Sequence, residues 1–328
     1  MISTRASMDV SIIFVNWNSV DYLRECIPSI RKYTQGLSYE IIVVDNASPA
    51  GDADVIGREF SDIVLIKSEE NLGFAGANNL GFKHSTGRFI LFLNPDTKLI
   101  SPIINIMLKH SQSLPDAGVV GCKLLNRDLS VQTSSIMQFP TIFNELFQFE
   151  YLRLRWPGFW GIGPLFSSGT EPAKAEVISG ACMLIRREAF EKVGMFSEEY
   201  FMYAEDMDLC YKIAKAGWTN YYVGEAVAVH YAGTSSPRVW QLAAKSKSML
   251  KFCEKFYGRF YTWLFRIALA GNAVARLTVI YGLSLFGRKE SLQSSIVKWT
   301  TMLKTLINPS TCDEMVPSRK AVASQVRP

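Results

Sequence analysis

The sequence predicts an α/β protein with a mostly parallel sheet, and three observations lead to this fold class. Four short apolar runs rich in β-branched residues, at 10–15, 40–45, 62–66 and 88–93, alternate with helical patterns. The 328 residues are 48% hydrophobic, enough to bury one large core or two small ones, which excludes wholesale disorder. Each run ends in or leads to a polar side chain (Asn16, Asp45, Asn71 or Asp96), and ligands of such sheets bind beyond the carboxyl ends of the strands.

The order of elements follows from the same patterns. Run 10–15 is a predicted strand, the polar NWNS after it a loop, and apolar residues at helical spacing from Leu23 to Ile30 indicate the first helix. The next three runs repeat this unit, with right-handed crossovers expected between parallel strands. Later elements are a strand at 177–187, a short helix at 187–196, an amphipathic helix at 205–218 and a final strand at 221–231.

Charge is divided unevenly along the chain. The net charge of +5 indicates no nucleic-acid binder, but residues 1–237 carry −6 and residues 238–328 carry +11. We therefore divide the chain into a catalytic domain at 1–237, an amphipathic helical extension at 238–307 and a disordered tail at 308–328. An aromatic-rich segment at 139–170 is expected to hold one short helix and a long loop over the sheet.

The cysteines and the N-terminus bear on location. The six cysteines are far apart and show no zinc-ligand spacing, so they are predicted to be reduced and mostly packed. No apolar run of signal-peptide length precedes the first strand. A cytoplasmic location is therefore expected.

Two positions are candidates for binding a divalent cation. The tripeptide Asn94-Pro95-Asp96 follows the fourth strand, where a carboxylate can bind a hard cation and through it a diphosphate. Taken alone, the tripeptide favours an ordinary Asx turn, because Asn and Asp are common in turns. His230 ends the last strand, and a neutral imidazole can complete the coordination of the same metal. A hydrogen-bonded structural histidine is the alternative.

Glu205 and Asp206 open the helix at 205–218 and are candidate catalytic residues. One of them can act as a general base if it is ionised and within reach of a substrate hydroxyl. Acids in a first turn are also favoured by the helix dipole alone. Asp208 is expected to play a supporting part.

The glycine pattern excludes two enzyme classes. No G-x-G-x-x-G follows the first strand and no G-x-x-x-x-G-K-[ST] occurs, which argues against dinucleotide oxidoreductases and P-loop NTPases. Gly73, Gly76 and Gly81 instead place small residues beside the amides Asn78 and Asn79, where backbone N–H groups can approach a phosphate or ribose.

Taken in order, the motifs resemble the family-2 glycosyltransferases, particularly their rhamnosyltransferase-like branch. The matching strings are VSIIFVNWN, IIVVDNAS, NLGFAGANNLGF, FLNPDT, ISGACMLIRREAFEKVGMFSEEYFMYAEDMDLCYKIAKAGW and AVAVHYAGTSS, across residues 9–236. The resemblance implies the GT-A fold, which binds a nucleotide-diphospho-sugar.

The resemblance also implies roles for individual residues. Asp45 would accept from the pyrimidine ring, Asp96 and His230 would hold Mg²⁺ or Mn²⁺, and Asp206 would be the base, with Glu205 beside it. Residues expected to line the sugar nucleotide are Asn16, Asn18, Asp45, Asn71, Gly73, Asn79, Asn94 and Gly180. Asn94 departs from the acid at the first position of the family's D-x-D motif, which removes one negative charge from the metal site.

The implied reaction is an inverting displacement on a sugar nucleotide. The expected donor is dTDP-rhamnose, with a UDP-sugar such as one carrying galactofuranose, glucose or N-acetylglucosamine as the alternative. The expected acceptor is a cell-surface polysaccharide or a polyprenyl-linked glycan. A non-catalytic sugar-nucleotide-binding protein and a nucleotidyltransferase remain as further readings, although Asp96, Asp206 and His230 argue against the former.

The C-terminal extension is expected to meet a membrane surface. If 246–287 were one helix, Lys251, Lys255, Arg259, Arg266 and Arg276 would lie within an arc of about 100° beside an apolar face. The longest uncharged run, 277–287, is too short to span a bilayer, so we expect peripheral attachment at the inner face of the cell membrane. Packing on the catalytic domain or in a homodimer is the alternative.

Acceptor contacts are expected from aromatic side chains. Trp156, Phe159 and Trp160 in the loop at 139–170, together with Tyr203, would stack on sugar or lipid. A packed lid fits the loop equally well.

Overall fold

The computed structural model describes residues 8–147, 171–231, 238–284 and 289–314. The chain forms two compact units. The sheet unit comprises residues 1–139, 156–201 and 205–232, and the helical unit comprises 140–155, 202–204 and 233–328. Each unit is considered separately.

Eleven strands are formed by the described residues. They are β1 (Val10–Asn16), β2 (Tyr39–Asp45), β3 (Val64–Lys67), β4 (Phe89–Leu93), β5 (Thr97–Leu99), β6 (Ala117–Leu125), β7 (Ile136–Met137), β8 (Ala173–Lys174), β9 (Val177–Ile178), β10 (Cys182–Arg186) and β11 (Thr219–His230). Nine of them form one sheet in the order β3-β2-β1-β4-β10-β6-β11-β5, with β8 beside β11. β7 and β9 form a separate pair.

The helices of the described residues follow in chain order. They are α1 (Val20–Tyr33), α2 (Asp52–Glu59), α3 (Gly73–Lys83), α4 (Ile103–Ser113), α5 (Ile142–Phe147), α6 (Arg187–Lys192), α7 (Glu205–Lys215), α8 (Arg238–Tyr257), α9 (Arg259–Ser284), α10 (Lys289–Ile307) and α11 (Ser310–Glu314). A 3₁₀ turn covers Thr133–Ser135.

The predicted parallel sheet is confirmed in its N-terminal half. β1 pairs in parallel with both β2 and β4, and β2 with β3, so the four predicted strands are neighbours. β1, β2 and β4 are almost wholly buried, which explains why their sequences are apolar rather than alternating. Their carboxyl ends therefore lie at one edge of the sheet.

The strand predicted at 177–187 is wrong, because it is two strands in two sheets. β9 pairs with β7, whereas β10 runs antiparallel between β4 and β6. Between them, the Ser179 N–H donates to the Ser135 carbonyl and the Gly180 N–H to the Asp206 carboxylate. These backbone groups thus have partners outside a strand ladder, and the chain turns there.

The helical unit bears on two expectations about the tail. α8 ends before Gly258, whose φ of +85° is a left-handed conformation that stops a helix, so Lys251 and Lys255 lie on a different helix from Arg259, Arg266 and Arg276. Arg276 lies 4.6 Å from the ring centroid of Trp299 in α10. In the predicted disordered tail, α11 is helical and its Cys312 packs with Trp240 of α8, while 315–328 lie outside the described residues.

α9 also changes the expectation about bilayer length. Among the described residues, α9 is the one helix whose length and apolar composition would allow it to cross a membrane. The uncharged run from 277 did not reveal this, because the helix continues through Arg266 and Arg276. α5, the short helix expected in the aromatic segment, belongs to the helical unit, where the Ile142 N–H donates to the Tyr261 hydroxyl at 3.1 Å.

The prediction of unpaired thiols is confirmed. All six cysteines are free and buried. Burial raises the pKa of Cys26, Cys210 and Cys253, so these thiols remain protonated and act as small apolar side chains.

Candidate active site

Asn16 and Asp45 end β1 and β2 side by side. They are paired in the parallel register, and Asn16 Nδ2 donates to Asp45 Oδ1 at 2.9 Å. The same nitrogen lies 3.0 Å from Asp52 Oδ2 and 3.1 Å from Ser48 Oγ. Within the described residues, the buried Oδ1 of Asn16 has no hydrogen-bond partner. An unused acceptor beside a buried carboxylate suits the N–H group of a ligand.

Asn18 lies at the same edge but uses its side chain on the neighbouring loop. Its backbone has a φ of 51°, a left-handed conformation that asparagine tolerates. Its N–H donates to Ser48 Oγ at 3.0 Å, and its Oδ1 accepts from the Ala50 N–H at 3.2 Å. Asn18 thus holds together the loops that follow β1 and β2.

Asn46 is a site residue that the sequence analysis missed. Its Nδ2 donates to Asn71 Oδ1 at 2.9 Å and its Oδ1 accepts from the Leu72 N–H at 2.8 Å. Asn71 Oδ1 also accepts from the Gly73 N–H at 3.0 Å. The sequence signal that could have identified Asn46 is its position directly after Asp45, the last residue of β2, where a side chain can reach the loop before α3. Asn46 connects the loop that follows β2 to the loop that opens α3.

Gly73 makes a close backbone approach that requires a glycine. Its φ is +71°, and a Cβ there would lie 2.3 Å from the Phe201 carbonyl oxygen. The Phe74 N–H donates to that same oxygen at 3.0 Å. The glycine therefore joins the start of α3 to the segment that precedes the candidate base in the chain.

Asn79 serves a contact within the protein. Its Nδ2 donates to the Phe196 carbonyl at 2.9 Å and to Glu198 Oε1 at 2.8 Å, and its Oδ1 accepts from the Phe196 N–H at 3.1 Å. The residue is 2% exposed. The structure therefore does not present Asn79 to a ribose or diphosphate, and that role stays a prediction that would require these bonds to break.

Asn94, Asp96 and His230 converge as the sequence analysis expected. His230 Nε2 lies 3.2 Å from Asp96 Oδ1 and 3.2 Å from Asn94 Nδ2. The other ring nitrogen, Nδ1, lies 2.7 Å from Gln132 Oε1. β5 brings the two segments together, because its Thr97 pairs with His230 in β11.

Two of these side chains, Asp96 and His230, have the chemistry and spacing of ligands of a divalent cation. Two neighbouring ligands, each about 2.1 Å from a metal, lie about 3 Å apart, close to the separation of Asp96 Oδ1 from His230 Nε2. Asn94 turns its Nδ2 toward the same point, and an amide nitrogen does not bind a cation, so Asn94 adds no metal ligand in this orientation. The described ranges contain no cluster of three His, Cys, Asp or Glu side chains suited to a metal. Further oxygen ligands would have to come from water or a bound diphosphate.

Glu205 and Asp206 are in different environments although they are adjacent. Glu205 is 6% exposed, and burial together with the charge of Asp206 raises its pKa well above the usual range. Asp206 is half-buried at the first turn of α7. Its carboxylate accepts from the Gly180 N–H at 3.1 Å and the Met207 N–H at 2.8 Å, contacts that favour the charged form.

Two further expectations concern the surroundings of the base. Gly180 lies against it, since a Cβ at 180 would be 3.6 Å from the Asp206 Cβ and 3.2 Å from the Phe74 ring. Asp208 is fully buried and accepts from the Ser197 hydroxyl at 2.6 Å, with Lys212 Nζ 3.2 Å away. Its expected supporting part is thus a structural one.

The expected acceptor residues are not assembled by the described residues. Trp156, Phe159 and Trp160 lie outside them. Tyr203 belongs to the helical unit, where its ring lies 6.0 Å from that of Trp240 and 5.3 Å from Lys245 Nζ.

Family models match most of the chain. The model of Glycosyl transferase family 2 matches residues 11–194, more than half of the chain, and that of Glycosyl transferase family group 2 matches residues 131–309. The first match contains the predicted parallel strands and the Asn94–Asp96 turn. The second contains Gln132, Asp206 and His230.

Two relatives are similar along most of their length. The chain is 28% identical over 280 residues to the N-acetylglucosaminyl-diphospho-decaprenol L-rhamnosyltransferase of Mycobacterium tuberculosis, covering 81% of this chain and 90% of that one. It is 26% identical to the rhamnosyltransferase WbbL of Escherichia coli, over 68% of this chain and 83% of the other.

Two solved structures share the fold. The mannosyltransferase PcManGT from Pyrobaculum calidifontis, in complex with GDP-Man and Mn²⁺, aligns with a TM-score of 0.55 at 18% identity, over 94% of this chain and 87% of that one. GalNAc-T7 with UDP, GalNAc and Mn²⁺ also gives a TM-score of 0.55, at 15% identity, over 76% and 48% of the two chains. The predicted GT-A fold is confirmed. The chain belongs to the family-2 glycosyltransferases, in their rhamnosyltransferase-like branch.

Proposed function

We propose that this glycosyltransferase transfers rhamnose from dTDP-rhamnose to a lipid-linked glycan, with inversion at the anomeric carbon. The observation that carries the proposal is the carboxylate of Asp206, half-buried at the first turn of α7 and held by two backbone N–H groups. The names of the two relatives support rhamnose as the sugar, and the mycobacterial one supports a polyprenyl-diphosphate acceptor.

Asp206 is the proposed general base. A base must be ionised, and the N-terminus of α7 together with the N–H groups of Gly180 and Met207 keeps this carboxylate charged. It takes the proton of the acceptor hydroxyl as that oxygen attacks the anomeric carbon, and the nucleoside diphosphate leaves from the opposite face. Each bond made is balanced by one broken, so no covalent intermediate with the enzyme is required.

Substitutions of the two adjacent acids test this assignment. Asp206→Asn should lower kcat by at least about 10²-fold, the usual contribution of a positioned base, with donor binding little changed. Glu205→Gln is the matched control, because it makes the same acid-to-amide change at the adjacent position and keeps the shape of the side chain. Normal turnover by the Asp206 variant, or an equal loss in both variants, would refute the role.

Asp96 and His230 are the residues proposed to hold Mg²⁺ or Mn²⁺. The cation would offset the negative charge that develops on the leaving diphosphate. The protein's own part is to aim one carboxylate and one imidazole nitrogen at the same point, 3.2 Å apart. The two Mn²⁺-bound structural neighbours support a divalent cation.

The nucleotide is proposed to lie along the edge formed by β1 and β2. Asp45 would accept from the pyrimidine imide N–H, and the loop held by Asn46 and Asn71 would face the ribose and diphosphate. Uracil and thymine present the same imide group, so this contact admits UDP-sugars as well as dTDP-sugars.

Thermal shifts with a panel of sugar nucleotides test the donor. A specific donor raises the melting temperature by mass action, by an amount equivalent to about 2.7 kcal/mol at 100 times Kd. We expect dTDP-rhamnose with Mn²⁺ to give the largest shift and Asp45→Ala to reduce it. A larger shift with a UDP-sugar would show that this sugar nucleotide, and not dTDP-rhamnose, is the donor. No shift with any sugar nucleotide would refute the proposed nucleotide site.

The helical unit is proposed to bind an anionic membrane surface peripherally, where a lipid-linked acceptor would lie. α9 exposes an apolar face formed by Phe260, Trp263, Ile267 and Val274, each at least half exposed. These residues recur every three, four or seven positions and so share one side of the helix. Residues 238–328 carry a net charge of +11. Each Lys or Arg near an anionic leaflet contributes about 1 kcal/mol.

Liposome cosedimentation tests this attachment. Phe260→Ser with Trp263→Ser should weaken binding to anionic vesicles by about tenfold or more, because two apolar side chains no longer leave water. Ile307→Ser, which changes an 84% exposed residue at the end of α10, is the matched control. Equal binding by the native protein and both variants would refute the role of α9. A dimer in solution that forms through this face would show that the face binds a second copy of the chain and not a membrane.

A further inference from the structure

Gln132 is a buried residue that none of the roles above uses. It is 7% exposed, and its Oε1 lies 2.7 Å from Nδ1 of His230, itself 8% exposed. An amide oxygen can only accept, so this contact requires the proton of the imidazole to be on Nδ1. The assignment depends on which way the Gln132 amide faces.

A chain of hydrogen bonds determines that orientation. Asp128 is a carboxylate, and Ser130 donates its hydroxyl proton to Asp128 Oδ1 at 2.6 Å. Ser130 Oγ is therefore left to accept, and Asn126 Nδ2 donates to it at 2.9 Å. Asn126 Oδ1 then accepts from Gln132 Nε2 at 3.1 Å, which leaves Gln132 Oε1 to face His230. Each step permits one direction.

The carboxylate that starts this chain stays ionised. Its side-chain and backbone hydrogen bonds from Ser130 lower the pKa of Asp128. The backbone of the same turn is also fixed, since the Asn126 N–H donates to the Ser130 carbonyl at 2.8 Å and the Gln132 N–H to the Leu124 carbonyl at 2.8 Å. The ionised Asp128 in this exposed turn therefore sets the direction of every hydrogen bond up to the buried imidazole of His230.

The opposite side of the ring agrees with this direction. Asn94 Nδ2 lies 3.2 Å from His230 Nε2 and can only donate, so Nε2 carries the lone pair. Asp96 Oδ1, also 3.2 Å from Nε2, acts against it, because a carboxylate attracts an N–H. The contact of Nδ1 with Gln132 Oε1, at 2.7 Å, is shorter than the contact of Nε2 with Asp96 Oδ1, at 3.2 Å.

We propose that Gln132 is a positioning residue that keeps the proton of His230 on Nδ1, so that Nε2 presents its lone pair to the divalent cation. The inference rests on the proposed metal site. Without the acceptor at Nδ1, Asp96 would draw the proton to Nε2, and that proton would occupy the position of the metal.

Nitrogen-15 NMR of histidine-labelled protein tests the tautomer directly, without metal or substrate. The chain has three histidines, which makes the spectrum simple to assign. At pH 9, well above the usual imidazole pKa of about 6.5, His110 is an internal reference for the opposite tautomer, because its Nε2 lies 2.7 Å from Glu225 Oε1. We expect Nδ1–H for His230 in the native protein and in Gln132→Glu, and Nε2–H in Gln132→Met.

Binding of Mn²⁺ alone, followed by electron paramagnetic resonance, links the tautomer to the metal. Gln132→Met should weaken Mn²⁺ binding about 10- to 100-fold, Gln132→Glu should restore most of it, and the exposed Gln35→Met should change nothing. Circular dichroism checks that each variant is folded. An Nε2–H tautomer in the native protein, or equal Mn²⁺ affinity in all variants, would overturn the inference. Native protein that shows Nδ1–H but binds no Mn²⁺ would instead refute the proposed metal site.

Discussion

Gly73→Ala tests the closest backbone approach beside the candidate active site. At this position φ is +71°, and the new Cβ would lie 2.3 Å from the Phe201 carbonyl oxygen and 3.0 Å from its carbonyl carbon. Gly36 offers a matched control, because its φ is +70° and nothing lies within 4 Å of a Cβ there. In both variants an alanine must adopt a left-handed backbone conformation, which costs about 1–2 kcal/mol. Only Gly73→Ala also forces the backbone of Phe201 to move.

The difference between the two variants isolates the clash. Overpacking costs about 1–3 kcal/mol, so Gly73→Ala should be destabilised by about 2–5 kcal/mol and Gly36→Ala by about 1–2 kcal/mol. For a domain of this size, the difference corresponds to roughly 2–12 °C in melting temperature. Thermal melts followed by circular dichroism measure it. Equal melting temperatures for the two variants would refute the close approach of Gly73 to Phe201.

Three further substitutions test other parts of the structure. Burial raises the pKa of Glu145, so the folded state loses stability as pH rises above the unfolded pKa of about 4.3. Glu145→Gln keeps the 3.0 Å contact with Asn272 but carries no charge. It should therefore raise the melting temperature at pH 8 but not at pH 4. Gly121→Ala places a Cβ 2.3 Å from Ile178 Cγ2 and should cost about 1–3 kcal/mol in urea unfolding, less when Ile178→Ala is also present; strict additivity would contradict that contact. Asp96→Asn should weaken Mn²⁺ binding more than about tenfold by paramagnetic resonance, and unchanged affinity would place the metal elsewhere.

The sheet edge could be predicted because strand ends are local features. Apolar runs at 10–15 and 40–45 are followed by Asn16 and Asp45, and parallel pairing alone places such residues side by side. Asp96 and His230 could also be predicted as ligands of one metal from their places after buried strands, although they lie 134 positions apart in the sequence. The structure brings them together by pairing β5 with β11.

The contacts that tertiary structure decides could not be predicted. Residues 177–187 have the apolar pattern of one strand, yet the backbone N–H groups of Ser179 and Gly180 have partners on other segments. Asn79 looks like a ligand residue in the sequence, but its amide contacts Phe196 and Glu198. Gln132 had no signal, because its role depends on a turn at 126–130 that orients it.

The tail shows how charge patterns mislead when helix ends are unknown. The predicted basic arc assumed a continuous helix, but Gly258 ends α8 and a second helix starts at Arg259. Arg276 then faces Trp299 within the unit instead of joining a basic stripe. α9 exposes the apolar side chains of Phe260, Trp263, Ile267 and Val274 together with Arg259 and Arg266, and its packing shows which side of the helix is free.

Rhamnosyl transfer with determination of product stereochemistry tests the central claim most directly. The purified protein would be given dTDP-rhamnose, Mn²⁺ and N-acetylglucosaminyl-diphospho-polyprenol, and the anomeric configuration of the new glycosidic bond would be read by proton NMR. We expect one new rhamnoside whose configuration is opposite to that of the donor, and none with Asp206→Asn at equal times. A product that retains the donor's configuration, or full yield from the Asp206 variant, would contradict it.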